Sequence, residues 1–290
     1  MHLGNTIFKK VILLVSGEEV DWAEEWRRQF RKTMDVRGST NYYEEEDRAR
    51  KYAAMQHLWK DGEKRVDGIP LDPTWTVLDI GSGPGIMTIP LAKRCSRVTA
   101  VEPSAMMVKL LQENVSSHDL DNIDVVQTTW EEAGGLVPHD VVVASYSLLM
   151  PDILPALLKM NSLARERVHI YWFAGMTYWE RARLDLYPAI YGRPYHPGPK
   201  VDVLFNLLYH LGLYPDLEVL GSLMHPERGM TMEETLDDLR DLVMLEPSAH
   251  DDILEEYVRS NYERQGSLFM RPDCTVRVRL SWRPRPVGRT

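Results

Sequence analysis

An α/β fold with a doubly wound, mostly parallel sheet of seven strands is predicted by three observations. Between residues 76 and 173, short apolar runs alternate with helical patterns, as buried parallel strands and their crossover helices require. The first run ends in Gly81-Ser82-Gly83-Pro84-Gly85 and passes straight into a helical pattern. Glycines adopt backbone angles that a Cβ forbids and admit a ligand close to the main chain, and the following helix offers unpaired N–H groups. Near the end of the chain, Thr275–Trp282 alternates apolar and polar residues, as a strand with one wet face does. The remaining patterns place a helical lid before the core and a helical insertion before the last strand.

In chain order, Val11–Val15 reads as a short strand or a buried helix start, too short for a signal-peptide core. Residues 17–33 read as a helix, because Trp22, Trp26 and Phe30 recur every four positions. Ser16 would cap it, with Glu18 and Glu19 in its first turn. The stripe suits packing on the core, with a substrate lid as the alternative. The opposite face, Arg27, Arg28, Arg31 and Lys32, is basic. A second helix is expected from Tyr42 to Lys60, its acidic run Glu44–Asp47 near the positive end of the dipole. Residues 67–73, with Gly68, Pro70 and Pro73, link it to the core.

The core strands are expected at Thr76–Ile80, Val98–Val101, Ile123–Gln127, Asp140–Ala144 and Arg167–Phe173. Helices Ile86–Arg94, Ser104–Ser117 and Pro151–Leu163 alternate with them, Ser104 serving as an N-cap. Residues 178–199 are rich in Tyr, Pro and Gly and read as a long loop with a short helix. A helix Val201–Leu211, closed by Gly212, leads to a sixth strand, Leu217–Leu220. Helices Met232–Leu245 and Asp251–Arg264 precede Thr275–Trp282, read as an edge strand, and a Pro-rich basic end expected to fray. The expected organisation is a helical cap over 1–66, a core over 67–223 with 274–284, a helical insertion over 224–273, and a flexible tail over 285–290.

Composition narrows the function classes. The chain has 290 residues, 44% hydrophobic and 27% charged, enough for a full α/β core with an accessory region. A net charge of −9 weighs against a broad phosphate-binding surface. Cys95 and Cys274 are too few for a disulfide framework or a metal cluster and suit a reducing cytoplasm. No run approaches the ~20 apolar residues that cross a bilayer. Eight tryptophans and thirteen tyrosines suit an aromatic-lined site, although core packing also uses them.

The glycine spacing G-S-G-P-G, with Ile86 where a dinucleotide site has its third glycine, separates this turn from the dinucleotide fingerprint. Asp79-Ile80-Gly81-Ser82-Gly83-Pro84-Gly85 resembles motif I of the class I S-adenosylmethionine-dependent methyltransferases, a Rossmann-like family. The likeness continues. The second strand ends in Glu102, where the family's acidic residue holds the ribose hydroxyls. Pro103-Ser104-Ala105-Met106-Met107 resembles the stretch beside the adenine, with Met107 at the usual methionine. Gln127-Thr128-Thr129-Trp130-Glu131-Glu132 stands where the adenine edge is met. The family often has an Asp near Thr129; here Glu131 or a backbone group would supply that contact. Asp140–Leu149 resembles motif IV of the small-molecule branch.

The resemblance implies S-adenosylmethionine as donor and S-adenosylhomocysteine as product. It implies a cofactor site of Asp79, Gly81, Ser82, Gly83, Gly85, Glu102, Pro103, Ser104, Met107, Thr129, Trp130, Glu131 and Ser145. A carboxylate such as Glu102 suits a diol because it accepts two hydrogen bonds. Methyl transfer from a sulfonium needs alignment and desolvation, and a general base only when the nucleophile carries a proton. No particular catalytic residue is therefore expected, and no metal. Ser145-Tyr146-Ser147-Leu148 is not the Pro-Pro motif of amino-group DNA and protein-glutamine enzymes, and no Pro-Cys motif is present. The acceptor would meet Tyr42, Tyr43, Tyr146, Trp172, Phe173 or Trp179. The expected function is methyl transfer to a small molecule. The alternatives are an RNA or protein methyltransferase, for which the α-helical arginines and Arg283, Arg285 and Arg289 speak, and a non-catalytic module that binds the donor.

Overall fold

The structure, a computed structural model, describes residues 14–15, 18–37, 43–221, 229–246, 248–271 and 275–287. Ser16, Tyr42, Cys274, Arg289 and most of Val11–Val15 lie outside the described residues. Strands β1 (Leu14–Val15) and β2 (Glu18–Glu19) pair antiparallel. Glu18 and Glu19 therefore precede the first helix, α1 (Trp22–Arg37), instead of forming its first turn. Asp21 is the cap: its Oδ1 accepts the amides of Ala23 and Glu24, both at 3.0 Å. Trp26 is fully buried and its indole donates to Met150 O at 2.9 Å. The Trp22–Trp26–Phe30 stripe is core packing.

The helix expected over 42–60 is two helices, α2 (Glu46–Ala53) and α3 (Gln56–Asp67). The chain breaks because Met55 is extended (φ −72°, ψ 94°), and the Trp59 indole satisfies Ala53 O at 2.7 Å. The core then follows as β3 (Thr76–Ile80), α4 (Thr88–Ala92), β4 (Arg97–Val101), α5 (Ala105–Ser117), β5 (Ile123–Val126), β6 (His139–Ser145), α6 (Ile153–Leu163) and β7 (Ala164–Ala174). Ser104 caps α5 as expected, accepting the Met107 amide at 3.2 Å.

Residues 178–199 hold a full helix, α7 (Tyr178–Tyr191), where a long loop with only a short helix was expected. A capping box nucleates it: Glu180 N donates to Thr177 Oγ1 at 3.3 Å and Thr177 N to Glu180 Oε2 at 3.0 Å. Gly192 ends it in the left-handed conformation, and Pro188 is accommodated inside it. Then come α8 (Val201–His210), β8 (Asp216–Gly221), α9 (Met232–Val243) and α10 (Asp251–Asn261). Helix α10 stops short of Arg264, which lies instead in a hairpin of β9 (Glu263–Gln265) and β10 (Leu268–Met270).

The seven-stranded sheet has the order β5-β4-β3-β6-β7-β11-β8, where β11 is Val276–Trp282. Strands β3 to β7 are parallel and β11 is antiparallel to both neighbours. This corrects the reading of the last strand: β11 is interior and β8 is the edge. The face of β11 expected to be wet is covered. Arg277 is 4% exposed and tied to Asp61 of α3, and Ser281 is 7% exposed, with Arg167 donating to its hydroxyl. Leu78, Ile80, Val142, Val168 and Ile170 pack with α1, α6 and α8 on one face of the sheet. Val77, Val141, Val143 and Tyr171 pack with α3 and α4 on the other. Burying each such side chain contributes about 1.5–3 kcal/mol. The described part of the tail is docked, since Asn161 Nδ2 donates to Arg285 O at 2.9 Å and Val287 packs on the core.

Candidate functional site

The carboxyl ends of β3, β4 and β6 meet at one rim of the sheet. The turn after β3 is tied to β4: the amides of Gly81 and Ser82 donate to Val101 O at 2.8 and 3.2 Å. Gly85 N closes the turn on Ser82 O at 3.1 Å. Gly81 has φ +69°, and a Cβ there would lie 2.3 Å from Ser147 Cβ. Gly83 also has positive φ (+53°), yet a Cβ there would meet nothing within 4 Å. Gly81 is glycine because the protein crowds it. Gly83 borders open space.

Glu102 follows β4 directly and is 7% exposed. Its two carboxylate oxygens accept Gly83 N at 2.8 Å and Ser104 N at 2.9 Å. Those amides orient the carboxylate and leave lone pairs for a further donor pair. Burial raises the Glu102 carboxyl above its usual range, against the two amide bonds. Asp79, 1% exposed, accepts the Thr88 hydroxyl at 2.6 Å. Burial pushes its carboxyl up to about 6, opposed by that bond and by Arg65. Ser82 Oγ is buried with no hydrogen-bond partner among the described residues.

Asp79, the glycine turn, Glu102 and Ser104 are thus gathered at one rim, as expected. Met107 is buried with Met106, Leu110 and Ala49, under Tyr43 and Tyr52 of the N-terminal region. Pro103 and Glu131 are exposed. Thr129 is committed to its own turn, accepting Glu132 N at 3.3 Å. The Trp130 side chain points into the core, its indole donating to Ala156 O at 3.3 Å with the Lys159 ammonium 4.2 Å from its ring. Its carbonyl accepts from the same Lys159 ammonium, so the side chain offers nothing to a ligand.

The aromatic candidates divide. Trp172 is 7% exposed, donates to Pro199 O at 2.9 Å and packs 5.9 Å from Trp26, so it is a core residue. Tyr146 stacks on Phe173 at 4.8 Å, and Trp179 meets Phe173 edge-on at 5.1 Å. Tyr43 packs 5.0 Å from Tyr52 at α2. Tyr146 follows β6 with φ +56°, a strained setting for a bulky residue.

Beside Tyr146 lies a polar network that sequence reading missed. Arg65 Nε donates to Asp61 Oδ2 at 2.8 Å, and Arg277 Nη1 donates to Asp61 Oδ1 at 2.5 Å. Arg65 also donates to Ser145 Oγ and lies 4.9 Å from the centroid of the Tyr146 ring. The only local signal was the Asp61–Arg65 spacing of four. Arg277 is 216 positions from its partner.

Residues 77–166 match the family model described as a methyltransferase domain. These residues form a methyltransferase domain. An uncharacterized protein of Haemophilus influenzae is 31% identical to the chain over 166 residues, 56% of this chain and 58% of that protein. A probable ribosomal RNA small subunit methyltransferase A of Thermococcus gammatolerans is 28% identical over 48% of this chain and 55% of its own length. The chain thus spans little more than half of these relatives. The methyltransferase domain shares its fold with YcgJ of Bacillus subtilis, with a TM-score of 0.53 at 12% identity over 80% of this chain and 99% of that one. A putative methyltransferase of Bacillus halodurans gives 0.52 at 13% identity over 78% and 100%. The Glu102 carboxylate, the space beside Gly83 and the unpartnered Ser82 hydroxyl suit a polar nucleoside, so the methyltransferase domain fits its donor. Among the described residues no group of three or more His, Cys, Asp or Glu could hold a metal ion. Nor is any described helix long and apolar enough to cross a membrane.

Proposed function

We propose that this chain transfers a methyl group from S-adenosylmethionine to a small-molecule acceptor. The observation that carries the reading is Glu102, fixed by the amides of Gly83 and Ser104 beside open space at the strand ends. Glu102 takes the ribose diol, the Gly81–Gly85 backbone lines the donor, and Asp79 acts on its ammonium region. The donor supplies the electrophilic methyl; this chain's residues bind, orient and exclude water. Tyr146, Phe173 and Trp179 form the apolar wall that the acceptor meets. The test is calorimetry with S-adenosylhomocysteine, followed by labelled methyl transfer to a panel of small acceptors. Donor binding with labelled small-molecule product supports the proposal. Absence of donor binding at sub-millimolar concentration overturns it.

The names of several relatives raise RNA as an acceptor. The charge arrangement on α1 speaks against it. Arg27 is paired with Glu24 and Asp152, and Arg28 with Glu25, so part of the basic face is neutralised within the chain.

A further inference from the structure

We infer a second binding site: the groove between α3 and strands β11 and β8 takes a small multiply charged anion, of phosphate or carboxylate chemistry. The groove measures about 240 Å³. His57, Lys60, Lys64, Arg65, Arg277 and Arg279 line it, against the carboxylates Asp61 and Glu218. Five permanent cations face two carboxylates, in a chain whose net charge is −9. Both carboxylates are already engaged: Asp61 by Arg65 and Arg277, and Glu218 by Arg279. Lys60 and Lys64 stand one turn apart on the exposed flank of α3, with no ion-pair partner among the described residues.

Packing does not account for this composition. Arg277 and Arg279 alternate onto the inner face of an interior strand, opposite Phe173 and Tyr171 in register. Such positions ordinarily carry apolar side chains, and burying a guanidinium there is costly. Arg277 is 4% and Arg65 7% exposed, so the floor is built from held, planar donor forks. Forks of that kind match phosphate and carboxylate geometry, while the two mobile lysines at the rim add charge. Tyr171 and Leu220 complete the walls. The groove runs along α3 from His57 to Gly68, and neither the glycine turn nor Glu102 lines it. Arg65, which also reaches Ser145 Oγ, adjoins both sites, but the groove shares no lining residue with the glycine turn or Glu102, and its occupancy does not depend on the proposed methyl transfer.

Inorganic pyrophosphate is the probe, titrated calorimetrically into the full chain at about 50 mM salt, where screening is modest. Binding is expected, and saturating S-adenosylhomocysteine should leave it in place. Reversing the rim charges in the K60E/K64E double variant should weaken pyrophosphate roughly tenfold or more, with S-adenosylhomocysteine affinity unchanged. Both lysines are exposed, so the variant keeps the fold. Absence of pyrophosphate binding, equal affinity in the double variant, or displacement by S-adenosylhomocysteine would each overturn the inference. A chain that binds pyrophosphate in this way but not S-adenosylhomocysteine would sink the methyltransferase reading and leave the anion site standing.

Discussion

Glu102 accepts the amide of Gly83 at 2.8 Å, so the carboxylate at the end of one strand fixes the turn that ends the neighbouring strand. The two halves of the proposed donor site are thereby one unit. Loss of either should be felt by the other.

The glycines of the turn should separate stability from binding. Gly81→Ala forces a Cβ to within 2.3 Å of Ser147 Cβ and keeps a positive φ. It should cost about 2–4 kcal/mol of stability. Gly83→Ala meets no atoms within 4 Å, and its backbone strain should cost about 1 kcal/mol. Gly83→Val should fold and yet lose donor binding, because its side chain fills the space beside Glu102. Urea unfolding and calorimetry on the three variants check this; equal stability losses at the two positions would contradict it.

Asp79 should leave a mark on the stability–pH curve. Burial raises its carboxyl to about 6 in the folded chain, against about 3.9 when unfolded. Between those values the folded state keeps a proton that the unfolded chain has released. Stability therefore falls as pH rises through that window, by on the order of 2–3 kcal/mol, and levels off above it. Asp79→Asn, which can still accept the Thr88 hydroxyl, should flatten this part of the curve. An unchanged slope would assign the proton to another group, Glu102 first.

The Asp61 network should be the costliest ion pairing to break. Asp61 holds two guanidiniums, Arg65 and Arg277, whose side chains are 6% and 5% exposed. Asp61→Ala leaves both without it and should cost about 3–5 kcal/mol. Asp241→Ala, which removes the exposed partner of Lys51, should leave the urea midpoint where it was. Equal shifts would contradict the network's role.

Single-stranded RNA should not bind the basic face of α1. Its Arg27 and Arg28 are held by Glu24, Glu25 and Asp152. Fluorescence anisotropy with an RNA oligonucleotide at low salt checks this. Tight binding that weakens steeply with added salt, and is lost in R27E/R28E, would favour the RNA reading.

The parallel half of the sheet was legible because its strands are buried on both faces. Val77–Ile80, Val98–Val101 and Val141–Ala144 declare themselves as apolar runs without any partner being known. The Glu102 position was legible too, since it follows a strand end directly. Helix α7 was hidden by the Pro and Gly around it, although Thr177 and Glu180 stand at capping-box spacing and Gly192 marks its end. The place of β11 was not legible. An alternating strand looks like an edge, and only the return of β8 and the cover by α3 make it interior. The Arg65–Asp61–Arg277 cluster joins elements far apart in the chain, so no local pattern announces it.

The most direct test of the account is S-adenosylhomocysteine titrated into the wild-type chain and into Glu102→Ala. Glu102→Ala removes the acceptor for the ribose diol and the anchor of Gly83, two charge-assisted contacts worth about 1.5–3 kcal/mol each. The account predicts binding by the wild type and a loss of roughly a hundredfold or more in the variant. Equal affinity in the two proteins, with the variant folded, would contradict it.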